Sequence, residues 1–114
     1  MSFLTDNSKT YLRELVRQGL NHLEAFSFES ITVTGSVATL TVPTGAKMAE
    51  ITLVSTVTPG VAVRVRYDAN PASGTGAPYY NTNRWVVYDM KNLVAFKAIQ
   101  ESVGTHTLSV QYYR

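Results

Sequence analysis

The chain has 114 residues, a formal net charge of +2 at pH 7, no cysteine, 45% hydrophobic residues and 16% charged ones. That length supports one hydrophobic core and leaves too little apolar area for a second, which argues against a two-domain enzyme. The apolar fraction excludes a disordered polyelectrolyte, the small charge excess excludes anchoring to nucleic acid by charge alone, and the missing cysteines exclude disulfide frameworks, thiolate nucleophiles and iron–sulfur clusters.

The opening MSFLTDNSKTYLRELV holds no apolar run behind basic residues, and no stretch of 18 apolar residues occurs, so a soluble chain made in a cytoplasm is expected. Leu12, Leu15, Val16, Gly19, Leu20 and Leu23 recur at three- and four-residue spacing, with Arg13, Glu14, Arg17, Gln18 and Asn21 between them. This is the pattern of an amphipathic helix over residues 8–23, with N-cap residue types at Thr5, Asp6, Asn7 and Ser8. A helix with one apolar face needs a partner. Residues 1–25 are therefore expected to form a helical arm and residues 26–114 a β domain, within a single domain overall.

Beyond Phe26 the period falls to two and the residue types shift to Val, Thr, Ile, Tyr and Phe, which fit a pleated, half-buried surface. Ile31 and Val33, the turn residues Thr34-Gly35-Ser36, and Ala38, Leu40 and Val42 predict a hairpin, ended by Pro43-Thr44-Gly45. Ile51, Leu53 and Val57 predict a third strand. After Pro59-Gly60, Val61, Val63, Val65 and Tyr67 predict a fourth, with Arg64 and Arg66 on its other face. Residues 70–83 hold two prolines and two glycines without apolar periodicity and predict a long loop. Residues 85–88, 93–99 and 107–113 predict three more strands, the last with Leu108, Val110 and Tyr112 on one face. About seven short strands separated by turn residues predict an antiparallel β-sandwich, jelly-roll-like or immunoglobulin-like, with one N-terminal amphipathic helix.

Catalytic groups are scarce. His22 and His106 are the only histidines; the first fits a helix end and the second a strand start, and neither has a triad setting around it. No His or carboxylate spacing predicts a metal ion, and Asp68 and Asp89 fit turn or cap roles better than a glycosidase pair. The string Ser73-Gly74-Thr75-Gly76 lacks the Lys-Ser/Thr and the following helix of a phosphate loop. Lys9, Arg13 and Arg17 form a basic line that suits a solvated helix face. The chain is therefore expected to be non-enzymatic, without catalytic, cofactor-binding or metal-binding residues. Aromatic residues carry the remaining signal: Tyr79, Tyr80, Trp85, Tyr88, Tyr112 and Tyr113 crowd the second half, and neighbouring tyrosines on a strand send one ring to each face. That favours a binding surface over an active site.

Two stretches, VRVRYDANPASGTGAPYYNTNRWVVYD from Val63 and NLVAFKAIQESVGTHTLSVQYYR from Asn92, together resemble small β-sandwich virion proteins of tailed bacteriophages. The shared order is an Arg-bearing strand, a Pro- and Gly-containing loop, a short aromatic segment, a Phe-Lys-Ala-Ile strand and a closing aromatic strand. The resemblance implies a structural protein of the virion, made in the host bacterial cytoplasm, that decorates or cements the capsid as a symmetric homo-oligomer, a trimer favoured. Its implied partners are copies of itself and the major capsid protein or another virion protein, with no membrane and no nucleic acid. A tail, baseplate or fibre-associated component is the neighbouring alternative. A carbohydrate-binding module that stacks a glycan on Trp85 and surface tyrosines is the alternative of another class. The residues expected at a protein interface are Leu12, Leu15, Val16 and Leu20 on the helix and Tyr79 and Tyr80 in the loop.

Overall fold

The computed structural model describes residues 23–114. The helix expected over residues 8–23, with its interface residues Leu12, Leu15, Val16 and Leu20 and with His22, lies outside the described residues except for Leu23, which precedes the first strand in irregular conformation.

Eight strands follow: β1 Ala25–Val33, β2 Ala38–Thr39, β3 Met48–Ser55, β4 Val63–Arg66, β5 Ala77–Tyr79, β6 Arg84–Tyr88, β7 Lys97–Gln100 and β8 His106–Tyr113, with a short helix, α1 Met90–Ala95, between β6 and β7. They form two antiparallel four-stranded sheets, ordered β1-β8-β3-β6 and β2-β7-β4-β5. Only β4 and β5 are chain neighbours that pair side by side; every other connection passes from one sheet to the other.

Period-two alternation builds the core between the sheets. β8 buries His106, Leu108, Val110 and Tyr112, and β3 beside it buries Ala49, Ile51, Leu53 and Ser55. Their register, Ile51↔Val110 and Leu53↔Leu108, puts like-sized apolar side chains next to one another on the same face. The second sheet contributes Val63 and Val65 from β4 and Ala98 from β7, and Leu93 and Phe96 complete the same cluster. Each Val, Leu or Ile fully withdrawn from water here stabilises the fold by about 1.5–3 kcal/mol relative to leaving it exposed.

Three local expectations are corrected. The hairpin across Thr34-Gly35-Ser36 does not form: β1 pairs with β8 from Ala25↔Tyr113 to Val33↔His106, while β2 pairs with β7 in the other sheet. Alternation marks the face a residue takes, not the strand beside it, and a turn tripeptide serves a sheet-to-sheet crossing as readily as a hairpin. The strand expected over residues 93–99 begins only at Lys97. Ahead of it Asp89 caps α1, its side chain accepting the Lys91 N–H at 3.4 Å, and Leu93 and Phe96 reach the core from one turn apart. The loop expected over residues 70–83 contains β5, whose Tyr79 lies opposite Val63 of β4, so the strand count is eight. Pro78 in β5 is compatible with its edge position, where a missing N–H leaves no ladder bond unmade.

Candidate functional site

β5 and β6 are edge strands of the two sheets, and the short connection between them closes one side of the fold with aromatic rings. The Tyr79 ring lies flat on the Trp85 indole, with centroids 3.8 Å apart and planes 13° off parallel. Tyr67, one residue past β4, meets Phe96 edge to face at 5.8 Å and 68°. The Trp85 Nε1–H is buried and no described acceptor meets it with hydrogen-bond geometry; the Tyr67 hydroxyl is the polar group it faces. Burial, reinforced by the neighbouring Tyr79, pushes the Tyr67 phenol up to about 12, and burial raises Tyr79 as well. Both hydroxyls therefore keep their protons at neutral pH and remain donors.

Beside this cluster lies a cavity of about 250 Å³ lined by Tyr67, Val86, Val87, Tyr88 and Asn92. Asn92 sits on the first turn of α1, and its Nδ2 donates to the Tyr88 carbonyl oxygen at 3.0 Å. Helix, edge strand and Tyr67 thus form three walls of differing chemistry: an amide, a strand edge and an aromatic ring.

The second candidate surface is the outer face of the β1-β8-β3-β6 sheet. Paired residues share a face, so the registers define rows across it. One row runs Phe28, Gln111, Glu50, Val86; the next runs Ser30, Ser109, Thr52, Arg84; the third runs Thr32, Thr107, Val54. Only Glu50 and Arg84 are charged among these positions, and Phe28 and Val54 are 59% and 57% exposed.

The structure separates the tyrosines expected at an interface. Tyr80 is exposed at the tip of the β5–β6 turn, its N–H donating to Asn83 Oδ1 at 2.8 Å. Tyr79 is half-buried in the stack on Trp85. The same stack covers one face of the indole, so Trp85 does not offer that face to a sugar. Tyr112 is buried and its hydroxyl donates to the Glu29 carboxylate, which also accepts the Thr41 N–H at 2.9 Å. Burial, and then the adjacent Glu29, push the Tyr112 phenol far up. Tyr113 is half-buried on the opposite face of β8.

The groups weighed for catalysis have structural partners. His106 is fully buried, with Nε2 2.7 Å from the Ser102 carbonyl oxygen and Nδ1 2.8 Å from Ser55 Oγ. A carbonyl oxygen only accepts, so Nε2 carries a proton; in the neutral ring Nδ1 then accepts from the Ser55 hydroxyl, and Ser55 Oγ in turn accepts the Val57 N–H at 2.9 Å. In a hydrolytic triad the serine faces Nε2 and an acid holds Nδ1; here the serine is on the other nitrogen, and the chain of bonds ties β3 to the loops that follow β3 and β7.

The Ser73-Gly74 turn does receive an anion, and it is the chain's own. Ser73 Oγ donates to Glu101 Oε2 at 2.6 Å, and the Gly74 N–H and Arg64 Nε donate to Oε1 at 2.9 and 2.7 Å. These bonds hold the Glu101 carboxyl down to about 2. Arg66 pairs with exposed Asp68 at 2.8 Å, and Asp89 is the cap of α1. Among the described residues no group of three or more His, Cys, Asp or Glu is placed to hold a metal ion, and no helix is long and apolar enough to cross a membrane.

The low-charge face leaves no local motif: its Ser and Thr positions lie on four strands that are distant in sequence, and only the register sets them side by side. The cavity left one legible signal, the aromatic crowding around Trp85. No protein-family model, curated protein or solved structure matches the chain.

Proposed function

We propose that the chain is a non-enzymatic structural protein of a tailed-bacteriophage virion, a jelly-roll module that decorates or cements the head shell through symmetric protein–protein contacts. The observation that carries this reading is the outer face of β1-β8-β3-β6, four strands wide and set with Ser, Thr, Val and Phe around one acid and one base. Interface centres are depleted of charged groups because these must be desolvated and long side chains must be fixed, whereas Ser, Thr and Val surrender little rotamer freedom.

Two further features support the class. Two four-stranded sheets joined almost wholly by crossings from sheet to sheet have the arrangement of the double-sheet jelly rolls that build viral coat and lectin domains. The resemblance of residues 63–89 and 92–114 to small virion proteins points the same way. The apolar stripe Leu12, Leu15, Val16 and Leu20 supplies a second contact, and Tyr80 a rim residue. Weak contacts of this kind, repeated by symmetry, sum to strong attachment.

Light scattering coupled to size exclusion tests the proposal. The wild-type chain is expected as a discrete oligomer of the 12.6 kDa protomer, a trimer favoured. Ser109→Lys, at the centre of the face, and Leu15→Asp, on the stripe, should each shift it toward monomer without changing the far-ultraviolet circular dichroism. A wild-type chain that stays monomeric at high concentration would refute self-association, and an oligomer indifferent to both substitutions would refute the assigned contacts.

A further inference from the structure

The cavity beside α1 lies along an edge strand, which determines what it offers a ligand. β6 pairs only with β3, and two flanking bonds set the phase of that pairing: Leu53 N–H to Asn83 O at 2.9 Å and Asp89 N–H to Lys47 O at 2.8 Å. In an antiparallel pair, residues that bond across the ladder alternate with residues whose backbone groups turn away. Residues 83, 85, 87 and 89 are the bonded set, so Val86 directs its N–H and C=O to the free edge, where the cavity wall contains Val86, Val87 and Tyr88. Asn92 adds an amide whose Nδ2 is held by the Tyr88 carbonyl, leaving Oδ1 as an acceptor. Tyr67 also lines the cavity, and its hydroxyl, which keeps its proton while facing the Trp85 Nε1–H, remains a donor.

We propose that this cavity, on the β6 edge between Tyr67 and Asn92, is a binding site for one pyranose sugar unit. A pyranose carries hydroxyls that both donate and accept around its rim and an apolar C–H face. The wall supplies the complements: a donor and an acceptor from Val86, an acceptor from Asn92, a donor from Tyr67, and aromatic surface from the tyrosines. Size limits the occupant. About 250 Å³ lies just below the ~300–1,000 Å³ of drug-sized pockets and has room for one ring, with the site open to solvent on one side. An added peptide strand fits less well, because strand addition uses successive outward backbone groups and Asn92 already occupies the Tyr88 carbonyl, the next one after Val86. The site meets the outer face at Val86 but does not include Ser109 or Val54, so substitutions at Tyr67 and Asn92 test it separately from the shell reading.

Nitrogen–proton correlation spectra of the full 114-residue chain test this. The probes are the methyl glycosides of glucose, galactose, mannose and N-acetylglucosamine, added to about 50 mM, well above a ~1 mM dissociation constant. At least one should produce saturable shifts confined to the amides around Tyr67, Val86, Tyr88 and Asn92. Tyr67→Phe, which keeps the ring and removes the donor, and Asn92→Ala should each weaken binding about tenfold or more, with spectra that remain dispersed; Val54→Ala, on the outer face, should leave it unchanged. Absence of saturable shifts with all four glycosides would overturn the proposal, as would binding that survives both cavity substitutions. Saturable shifts from an unrelated extended peptide, with none from the glycosides, would overturn it in favour of strand addition.

Discussion

Ser55→Ala is the substitution whose cost the structure specifies most closely. The Ser55 hydroxyl donates to His106 Nδ1 at 2.8 Å and accepts the Val57 N–H at 2.9 Å, and His106 is wholly buried. Truncation leaves a buried imidazole nitrogen without its donor and a backbone N–H without its acceptor. An unpaired buried polar group costs about 1–3 kcal/mol; the two together, with the N–H partly reached by water, are expected to cost about 2–4 kcal/mol. At about 4–8 °C per kcal/mol for a domain near this size, Tm should fall by at least about 8 °C. Replacing both partners is expected to be milder than the separate costs suggest, since apolar groups in both positions leave fewer polar atoms stranded. The double variant Ser55→Ala with His106→Leu should fall short of additivity by about 1–2 kcal/mol. Urea unfolding followed by Trp85 fluorescence, with the slope m held constant across variants, measures all four corners of the cycle. A Ser55→Ala cost below about 0.5 kcal/mol, or strict additivity, would refute the bridge as a source of stability.

Glu101→Gln reports on the clamp that binds the Ser73-Gly74 turn. The Ser73 hydroxyl, the Gly74 N–H and the Arg64 guanidinium hold the carboxyl near 2, below its usual 4.5, so its contribution is complete above about pH 4.5 and is lost as pH falls toward 2. Urea midpoints of wild type and Glu101→Gln should therefore differ at pH 7 and converge near pH 2, and a gap independent of pH would contradict this. Gly76 has φ +125°, and a Cβ there would stand 3.0 Å from the Val65 carbonyl oxygen, whereas Gly45, at φ +88°, has open space. Gly45→Ala should cost about 1–2 kcal/mol from backbone strain and Gly76→Ala clearly more; equal thermal shifts would show that the close approach is relieved without cost. Tyr79→Leu should cost about 0.5–1.5 kcal/mol beyond lost area and move Trp85 emission to longer wavelength as the stacked face meets water; unchanged emission would mean that another group covers the indole.

Which of these features could be read in advance follows from the range over which each is encoded. β8 was legible because Leu108, Val110 and Tyr112 alternate with polar neighbours over eight residues, and β3 for the same reason at Ile51 and Leu53. The alternation states which side chains go inward, and the core follows from it. It is silent on pairing, so β1 and β2 read as a hairpin although they lie in different sheets. α1 was hidden in a run of apolar residues short enough to suit a strand. The Glu101 clamp joins residues 28 positions apart, and the Tyr112–Glu29 contact joins residues 83 apart, and neither leaves a local motif. Aromatic crowding was visible, while the inward turn of Tyr79 and Trp85 depended on two edge strands meeting across the sheets.

Under the proposed self-association, those edges also decide where a neighbouring copy would attach. Unpaired strand edges recruit further strands, and stable proteins blunt them by shortness, proline or a covering element. β2 has two residues and β5 has three with Pro78, so the β2-β7-β4-β5 sheet is blunted on both sides. The β6 edge is covered at Tyr88 by Asn92 of α1. β1 has nine residues and pairs with β8 on one side only, which leaves its other side as the longest open edge among the described strands. Phe28 stands on β1, where that edge meets the low-charge outer face. Its position matters more than its exposure: Val103 is 90% exposed against 59% for Phe28, yet a lone apolar residue in a connection is ordinary, whereas Phe28 belongs to a continuous surface. Phe28→Ser should therefore weaken self-association by about tenfold or more and Val103→Ser by less than about twofold, measured by sedimentation equilibrium; the reverse order would move the contact from the sheet to the β7–β8 loop.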